Sequence, residues 1–194
     1  MLIHNMLLIV SLKELEMKTP LRYQITEYDC GTTSLINAIS FIYEREEIPP
    51  ELIHGVMMYT LDEFGCDGEE CKGGISIFSV KFLNHWIKSF AHSKGFIINT
   101  ELLENNDVDI YSNKVKKCMS NGGAIVARVW LGGEHYVIIT KIDHEYAYIF
   151  DLYYQDITTY DEDNEVEIIK DRPIECNRKV YLKEFYQIVQ WIMD

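Results

Sequence analysis

The chain carries few basic residues for its length. Among 194 residues, 18 are lysine or arginine and 31 are aspartate or glutamate, so the formal net charge is −13. Nucleic acids and anionic membrane surfaces attract proteins through basic patches. The charge balance therefore predicts that neither is a partner, although it does not identify a substrate.

Long hydrophobic runs are also absent. The first ten residues are mostly apolar and include no lysine or arginine, and Lys13-Glu14-Leu15-Glu16 follows soon after. A signal peptide needs a basic start and a small-residue cleavage site. A membrane-spanning helix needs about 20 consecutive apolar residues. We therefore predict a cytoplasmic protein, with residues 1–20 forming an N-terminal strand or arm.

Cysteine is too sparse and too scattered for a disulfide framework. The chain has five cysteines, an odd number, which fits a reducing compartment: Cys30, Cys66, Cys71, Cys118 and Cys176. Cys66 and Cys71 are close in sequence, but they have no nearby histidine and their spacing is loose for zinc. We predict an exposed loop there, with a disulfide or a metal as less favoured alternatives, and we predict no metal or cofactor for the protein.

The hydrophobic pattern predicts helices first and strands later. Helical spacing indicates helices near 31–43, 50–61, 76–93 and 115–120, and a C-terminal helix at 178–192. Apolar runs bounded by turn residues indicate strands at 124–130, 135–142 and 146–152, which would form an antiparallel meander. The acidic stretch 156–171 is typical of a solvated hairpin or flap. This order predicts one α+β domain over residues 1–194, with N-terminal helices packed on a C-terminal antiparallel sheet.

Two of these helices have specific residues that we expect to be buried. In the third helix, Phe78, Phe82, Leu83 and Trp86 recur at helical spacing, which predicts that they face the core. In the C-terminal helix the same spacing relates five apolar residues, namely Leu182, Phe185, Ile188, Val189 and Ile192.

A candidate nucleophile lies at the start of the first predicted helix. Asp29 is a favourable N-cap residue, so Cys30 falls in the first turn. Unpaired N–H groups and the positive end of the helix dipole stabilise an anion at this position, and the thiolate is the reactive form of cysteine. Gly31 lacks a side chain, which would let a substrate approach the sulfur. Gln24, six residues upstream, has an amide suited to stabilise an oxyanion.

A candidate base and its partner lie on two paired strands. His135 opens one predicted strand and Asp151 lies at the end of the next, sixteen positions later. Antiparallel strands joined by a tight turn bring these ends together. A carboxylate beside His135 would fix the orientation and tautomer of the imidazole, and the other ring nitrogen would face Cys30.

Each of these residues also has a simpler structural interpretation. A single cysteine is more often a small buried hydrophobe, a strand histidine is often half-buried, and an aspartate at a strand end often belongs to the turn. The combination is more informative, because Gln24, Cys30, His135 and Asp151 occur in the order that a papain-like thiol enzyme requires.

The same residues resemble those of a known family, the C39-like cysteine peptidases, whose papain-like domain removes double-glycine leader peptides in bacteria. The resemblance lies in Gln24-x5-Cys30-Gly31 with Asp29 before the cysteine, in His135-Tyr136-Val137, and in the step to Asp151. It implies a papain-like fold with Cys30 as nucleophile, His135 as base, Asp151 as its orienting partner and Gln24 as oxyanion donor. The motifs that carry this resemblance lie between about residues 18 and 155 and occur in the same order as in the family.

The chain departs from this family in ways that bear on specificity. Many relatives have proline after the Cys-Gly pair, where this chain has Thr32, and the stretches 62–74 and 156–171 look like additions. The resemblance implies a peptidase or amidase that acts on a peptide or acyl substrate through a thioester. Two alternatives stay open: an acyltransferase that passes the acyl group to an amine or alcohol, and a catalytically silent binding module of the same fold.

Overall fold

The computed structural model describes residues 19–104, 107–130, 134–154, 166–169, 175–184 and 189–193. The predicted N-terminal arm, apart from its last two residues, and most of the acidic stretch lie outside these ranges. No helix in the described ranges is both long and apolar enough to cross a membrane.

The described residues form four α-helices and seven strands. The helices are α1 (Cys30–Ile42), α2 (Pro50–Met58), α3 (Ile77–Lys94) and α4 (Asn113–Ser120), and a 3₁₀ turn spans Leu182–Glu184. The strands are β1 (Thr100–Leu103), β2 (Ala124–Trp130), β3 (Glu134–Ile142), β4 (Tyr146–Asp151), β5 (Val166–Ile168), β6 (Arg178–Tyr181) and β7 (Val189–Met193).

All seven strands join one antiparallel sheet in the order β1-β7-β2-β3-β4-β6-β5. The meander β2-β3-β4 forms its centre, and its strand bounds agree with the predicted ones to within one residue. The expected α+β class is therefore confirmed.

Helices cover both faces of this sheet. On one face, α1, α2 and α3 enclose a core with alternate sheet residues such as Ala124, Val126, Ile138 and Phe150. On the other face, α4 contributes Val115 and Cys118 to a second core, together with the sheet residues that point the opposite way, namely Ile125, Ala127, Val129, Val137, Ile139, Ala147 and Ile149. The expectation that helices pack on the sheet is correct, although α4 lies on the face opposite to the other three.

The most buried helix is α1, in which every residue from Gly31 to Ser40 is buried. Its first turn lies so close to its neighbours that a Cβ on Gly31 would overlap Ile75 Cγ2 and would come within 3.5 Å of Tyr136 Cδ2. The missing side chain of Gly31 therefore serves close packing of the helix start. It does not provide the open approach to the sulfur that the sequence suggested.

The predicted C-terminal helix at 178–192 is wrong. Residues Arg178–Tyr181 pair with β4, and Val189–Met193 lie between β1 and β2 with hydrogen bonds to both. The buried strand β2 would otherwise leave a row of backbone groups unpaired on that side, which costs free energy. The hydrogen bonds that β2 needs on that side thus outweigh the helical spacing of the apolar residues.

The predicted core face of α3 is partly wrong. Leu83 is fully buried and Trp86 packs against the first core, but Phe78 is 79% exposed and Phe82 is 44% exposed. The buried side of this helix is instead formed by Val80, Leu83, Asn84, Ile87 and Ala91. Phe82 lies against Tyr59, with ring centroids 4.5 Å apart.

We predict that Gly31→Ala destabilises the protein by about 1–3 kcal/mol, because the added methyl group overpacks the contact with Ile75. Ile75→Ala alone should cost about 2–5 kcal/mol by leaving a cavity. The double variant should lose less stability than the sum of the two single losses, since Ile75→Ala makes room for the added methyl group. Chemical denaturation measures all three, and additive costs would contradict a direct clash.

Candidate active site

The loop before α1 is organised by the carboxylate of Asp29. Oδ2 accepts the Ile25 N–H at 3.0 Å and the Thr33 hydroxyl at 3.2 Å, and Oδ1 accepts both the N–H and the hydroxyl of Thr26 at 2.6 Å. Burial alone would raise the pKa of Asp29, but these hydrogen bonds outweigh it and hold the pKa below its usual range. The carboxylate therefore folds residues 24–29 back against the start of α1.

Asp29 occupies the predicted N-cap position, but its side chain caps no backbone N–H of the helix and bonds to α1 only through the Thr33 hydroxyl. Its backbone carbonyl accepts the Thr33 N–H at 2.9 Å, which begins the helical ladder. The earlier N–H groups of the first turn have no acceptor within the helix. Such N–H groups favour negative charge at a helix start, and Cys30 is the first residue of this helix.

His135 and Asp151 meet at one end of the β3–β4 pair. The register places Val137 opposite Asp151, and His135 Nε2 lies 2.9 Å from Asp151 Oδ1. Their side chains are only 13% and 4% exposed. The Tyr153 N–H also donates to Asp151 Oδ1, at 3.0 Å, and so helps to fix the carboxylate.

Cys30 completes this group, since its side chain is within hydrogen-bonding reach of His135. Burial lowers the pKa of His135, but the hydrogen bonds and charges of Asp151 and Cys30 outweigh burial and raise that pKa to about 9. Because the pKa is raised by folding, the stability that this histidine contributes is fully present below its unfolded pKa of about 6.5. It is lost as pH rises through about 9.

Gln24 lies in the same loop, but its side chain does not join the group of three. Its Nε2 donates to the Thr26 carbonyl at 2.7 Å, and its backbone N–H donates to the Leu152 carbonyl at 3.0 Å, one residue beyond Asp151. The described hydrogen bonds include none from the Gln24 amide to Cys30, His135 or Asp151. One hydrogen of its NH₂ group is left for another acceptor.

Asn177 belongs to the site and was missed by sequence reasoning. Its Oδ1 accepts the Asp151 N–H at 2.7 Å, and its Nδ2 donates to the Asp151 carbonyl at 2.7 Å. Its own N–H donates to the Ile149 carbonyl at 2.9 Å, and the residue is 5% exposed. The side chain thus extends the pairing of β4 with β6 by one step and holds the backbone that carries the carboxylate. No local pattern marks it, because its partner is 26 positions away.

Charged and aromatic residues of β2 and β3 lie next to His135 in the sheet. Tyr136 follows His135, and its pKa is raised to about 12, mainly by burial, with the charge of Cys30 adding to the shift. Arg128 lies opposite Tyr136 on β2 and forms an ion pair with Glu134. Burial opposes the charge on Arg128, but the hydrogen bond to Glu134 and the nearby charges, including Glu63, raise its pKa.

Within the described ranges, no three His, Cys, Asp or Glu side chains come together as a ligand set for a metal ion. Cys30, His135 and Asp151 bring together a thiol, an imidazole and a carboxylate, which is the arrangement of an activated nucleophile.

Comparisons with family models, with curated proteins and with solved structures find no match for this chain. What the site does is therefore inferred from its geometry.

We predict that Asn177→Ala lowers the pKa of His135, measured by NMR titration of the imidazole. Loss of the two hydrogen bonds frees the Asp151 backbone, so the carboxylate holds the imidazolium less firmly. The variant should also lose about 1–3 kcal/mol of stability, because two buried backbone groups are left unpaired.

Asn37 provides a matched control. Its fully buried side chain makes the same pair of hydrogen bonds, 2.9 Å each, with the backbone N–H and carbonyl of Arg22. Asn37→Ala should cost similar stability and leave the pKa of His135 unchanged. An equal shift in both variants would mean that Asn177 has no specific influence on the histidine.

Proposed function

We propose that this protein is a cysteine peptidase or amidohydrolase that works through a thioester acyl-enzyme. The observation that carries the proposal is the contiguous chain from Cys30 through His135 to Asp151, which begins at a helix N-terminus and ends at a buried carboxylate. A nucleophile, a base within reach and a third group that orients the base are the parts that acyl transfer requires.

The roles follow from the contacts. With Nε2 of His135 engaged by Asp151, Nδ1 is the ring nitrogen left to take the Cys30 proton. The sulfur attacks the carbonyl carbon of the substrate, and the imidazolium then returns the proton to the departing amine. Water, activated by the same imidazole, hydrolyses the thioester. Asp151 orients the imidazole and stabilises the imidazolium.

The negative oxygen of the tetrahedral intermediate needs donors beside the sulfur. The N–H of Cys30, in the first turn of α1, has no acceptor within its own helix. Gln24 supplies a second candidate, because the hydrogen of its amide that Thr26 does not accept is available to an oxyanion. The amide is held in place by the loop that Asp29 organises.

The order of these residues along the chain supports membership of the C39-like, papain-like peptidases. In such proteins a helix presents the thiol to an antiparallel sheet that carries the histidine and the carboxylate. Here α1 packs on the face of the sheet to which β2 and β3 contribute Val126 and Ile138. The substrate class that we propose is accordingly a peptide or another amide.

The decisive experiment measures which cysteine is alkylated first. At pH 5–6 His135 is cationic, and a cation beside a cysteine at a helix start increases the reactivity of its sulfur. Limiting iodoacetamide should therefore modify Cys30 before the more exposed Cys66 and Cys71. Peptide mapping across a pH series shows the order in which the cysteines are alkylated. His135→Ala should abolish the preference for Cys30.

His144→Ala is the control, since His144 is an exposed residue in the β3–β4 turn, and it should leave the preference intact. If Cys30 reacted no faster than Cys66 at pH 5–6, the resting protein would hold no catalytic pair. The silent binding module would then be the better description.

We predict that Gln24→Ala lowers kcat by about 10²–10³-fold with little change in KM, the usual effect of losing one oxyanion donor. The assay uses a peptide whose acyl group is trapped on Cys30 by acid quench and detected by mass spectrometry, with Cys30→Ser as the blank. A higher KM with an unchanged kcat would make Gln24 a substrate-binding residue instead.

A further inference from the structure

A cavity of about 440 Å³ lies beside α4, on the side of the sheet that carries the second core. It is bounded by α4 and the residues just before it, by the β3–β4 turn and by the 3₁₀ turn. Small-molecule sites in proteins typically measure about 300–1,000 Å³. The cavity is therefore large enough to take a small ligand.

This cavity is separate from the candidate active site. Cys30, His135 and Asp151 all belong to the described part of the chain, and none of them lines the cavity. His135 is near one end of β3, whereas Ile142, the last residue of the same strand, does line it. Seven residues of an extended strand span about 22–24 Å. A ligand in the cavity would therefore leave the space around Cys30 free for a substrate.

The buried part of the lining is apolar. Ile110, Val115 and Leu182 line the cavity and are buried. The half-buried Met119 and Ile142 line it as well. An alkyl chain in the cavity would be removed from water and would gain dispersion contacts with these side chains. The lining therefore favours a ligand with an aliphatic body.

Hydrogen bonds hold the segments around the cavity. The Leu182 N–H donates to the Glu145 carbonyl at 3.0 Å, which ties the 3₁₀ turn to the β3–β4 turn. On the other side, the hydroxyl of Ser112 caps α4 by accepting the Val115 N–H at 3.3 Å. The cavity is thus formed before any ligand binds, as is usual for small-molecule sites.

The charged residues of the lining favour an anionic head group on that ligand. They are Lys116 and Asp143, together with the titratable His144. Both oxygens of Asp143 are already engaged, because Oδ1 accepts two backbone N–H groups of its own turn and Oδ2 accepts the Tyr148 hydroxyl. Within the part of the chain that the structure describes, no salt bridge involves the exposed ammonium group of Lys116. A carboxylate at the cavity mouth would give this cation a partner.

We propose that this cavity binds an alkyl monocarboxylate, with the chain among the apolar side chains and the carboxylate at Lys116. Burial of the chain supplies most of the affinity, and the ion pair sets the orientation of the ligand. The binding is non-covalent. It involves neither Cys30 nor the acyl chemistry proposed above, so the two proposals stand or fall separately.

The test is an NMR titration of the full chain, labelled with ¹³C at isoleucine and methionine methyl groups, with hexanoate, octanoate and decanoate. The methyl signals of Ile110, Met119 and Ile142 should shift and saturate, whereas that of Ile39, in the first core, should not. Affinity should rise about fourfold for each added methylene, because each leaves water on binding. No saturable shift at the cavity methyls, or an affinity that does not depend on chain length, would overturn the proposal.

Three variants test the placement of the ligand. Lys116→Met should weaken octanoate binding by about two- to fivefold, the contribution of an exposed ion pair, and leave octanol binding unchanged. Lys117→Met is the matched control, since it removes the same charge from the next position on α4, outside the described lining, and should change neither affinity.

Met119→Trp should weaken binding of both ligands by about tenfold or more, since the indole would take the space of at least two methylenes of the chain. The methyl spectrum shows whether this variant is folded. Equal effects of the two lysine changes on octanoate would contradict the placement of the carboxylate. A folded Met119→Trp protein with unchanged affinity would contradict the placement of the chain.

Discussion

The antiparallel pairing of β3 with β4 is the constraint on which the candidate site depends. Its register sets Val137 opposite Asp151 and so brings a histidine and an aspartate, sixteen residues apart in sequence, to 2.9 Å. A slip of one residue would turn one of the two side chains to the other face of the sheet. The core residues on both faces prevent such a slip, because they would be misplaced at the same time.

At Asp29 and His135, burial and hydrogen bonding have opposite effects on the pKa, and hydrogen bonding prevails. Desolvation disfavours the charged forms of both Asp29 and His135, yet hydrogen bonds from surrounding groups favour those forms by more. The same groups that stabilise the charges also fix their positions. These hydrogen bonds hold the loop before α1 and the end of β4, the two segments that carry the thiol and the carboxylate.

Local sequence signals were sufficient to predict the first helix and the strands that carry His135 and Asp151. The helical spacing after Cys30 and the apolar strands around His135 and Asp151 describe short-range preferences that the fold obeys. The pattern failed where a distant partner decided the outcome. Val189–Met193 became a strand because both β1 and β2 hydrogen-bond to it. Phe78 is exposed because the third helix presents another side to the core.

By itself the sequence determined the α+β class, the position of Cys30 at a helix start, and the pairing of His135 with Asp151, because each depends on periodicity or on a short turn. Only the tertiary structure decided that Asp29 orders the Gln24 loop instead of capping α1, and that Asn177 holds the backbone of Asp151. Asn177 and Asp151 are 26 positions apart and belong to segments that meet only after folding, so no pattern of neighbouring residues encodes their contact. The partners of Asp29 are within four positions of it, and the folded conformation of the loop decides that they bind the carboxylate in place of the N–H groups of α1.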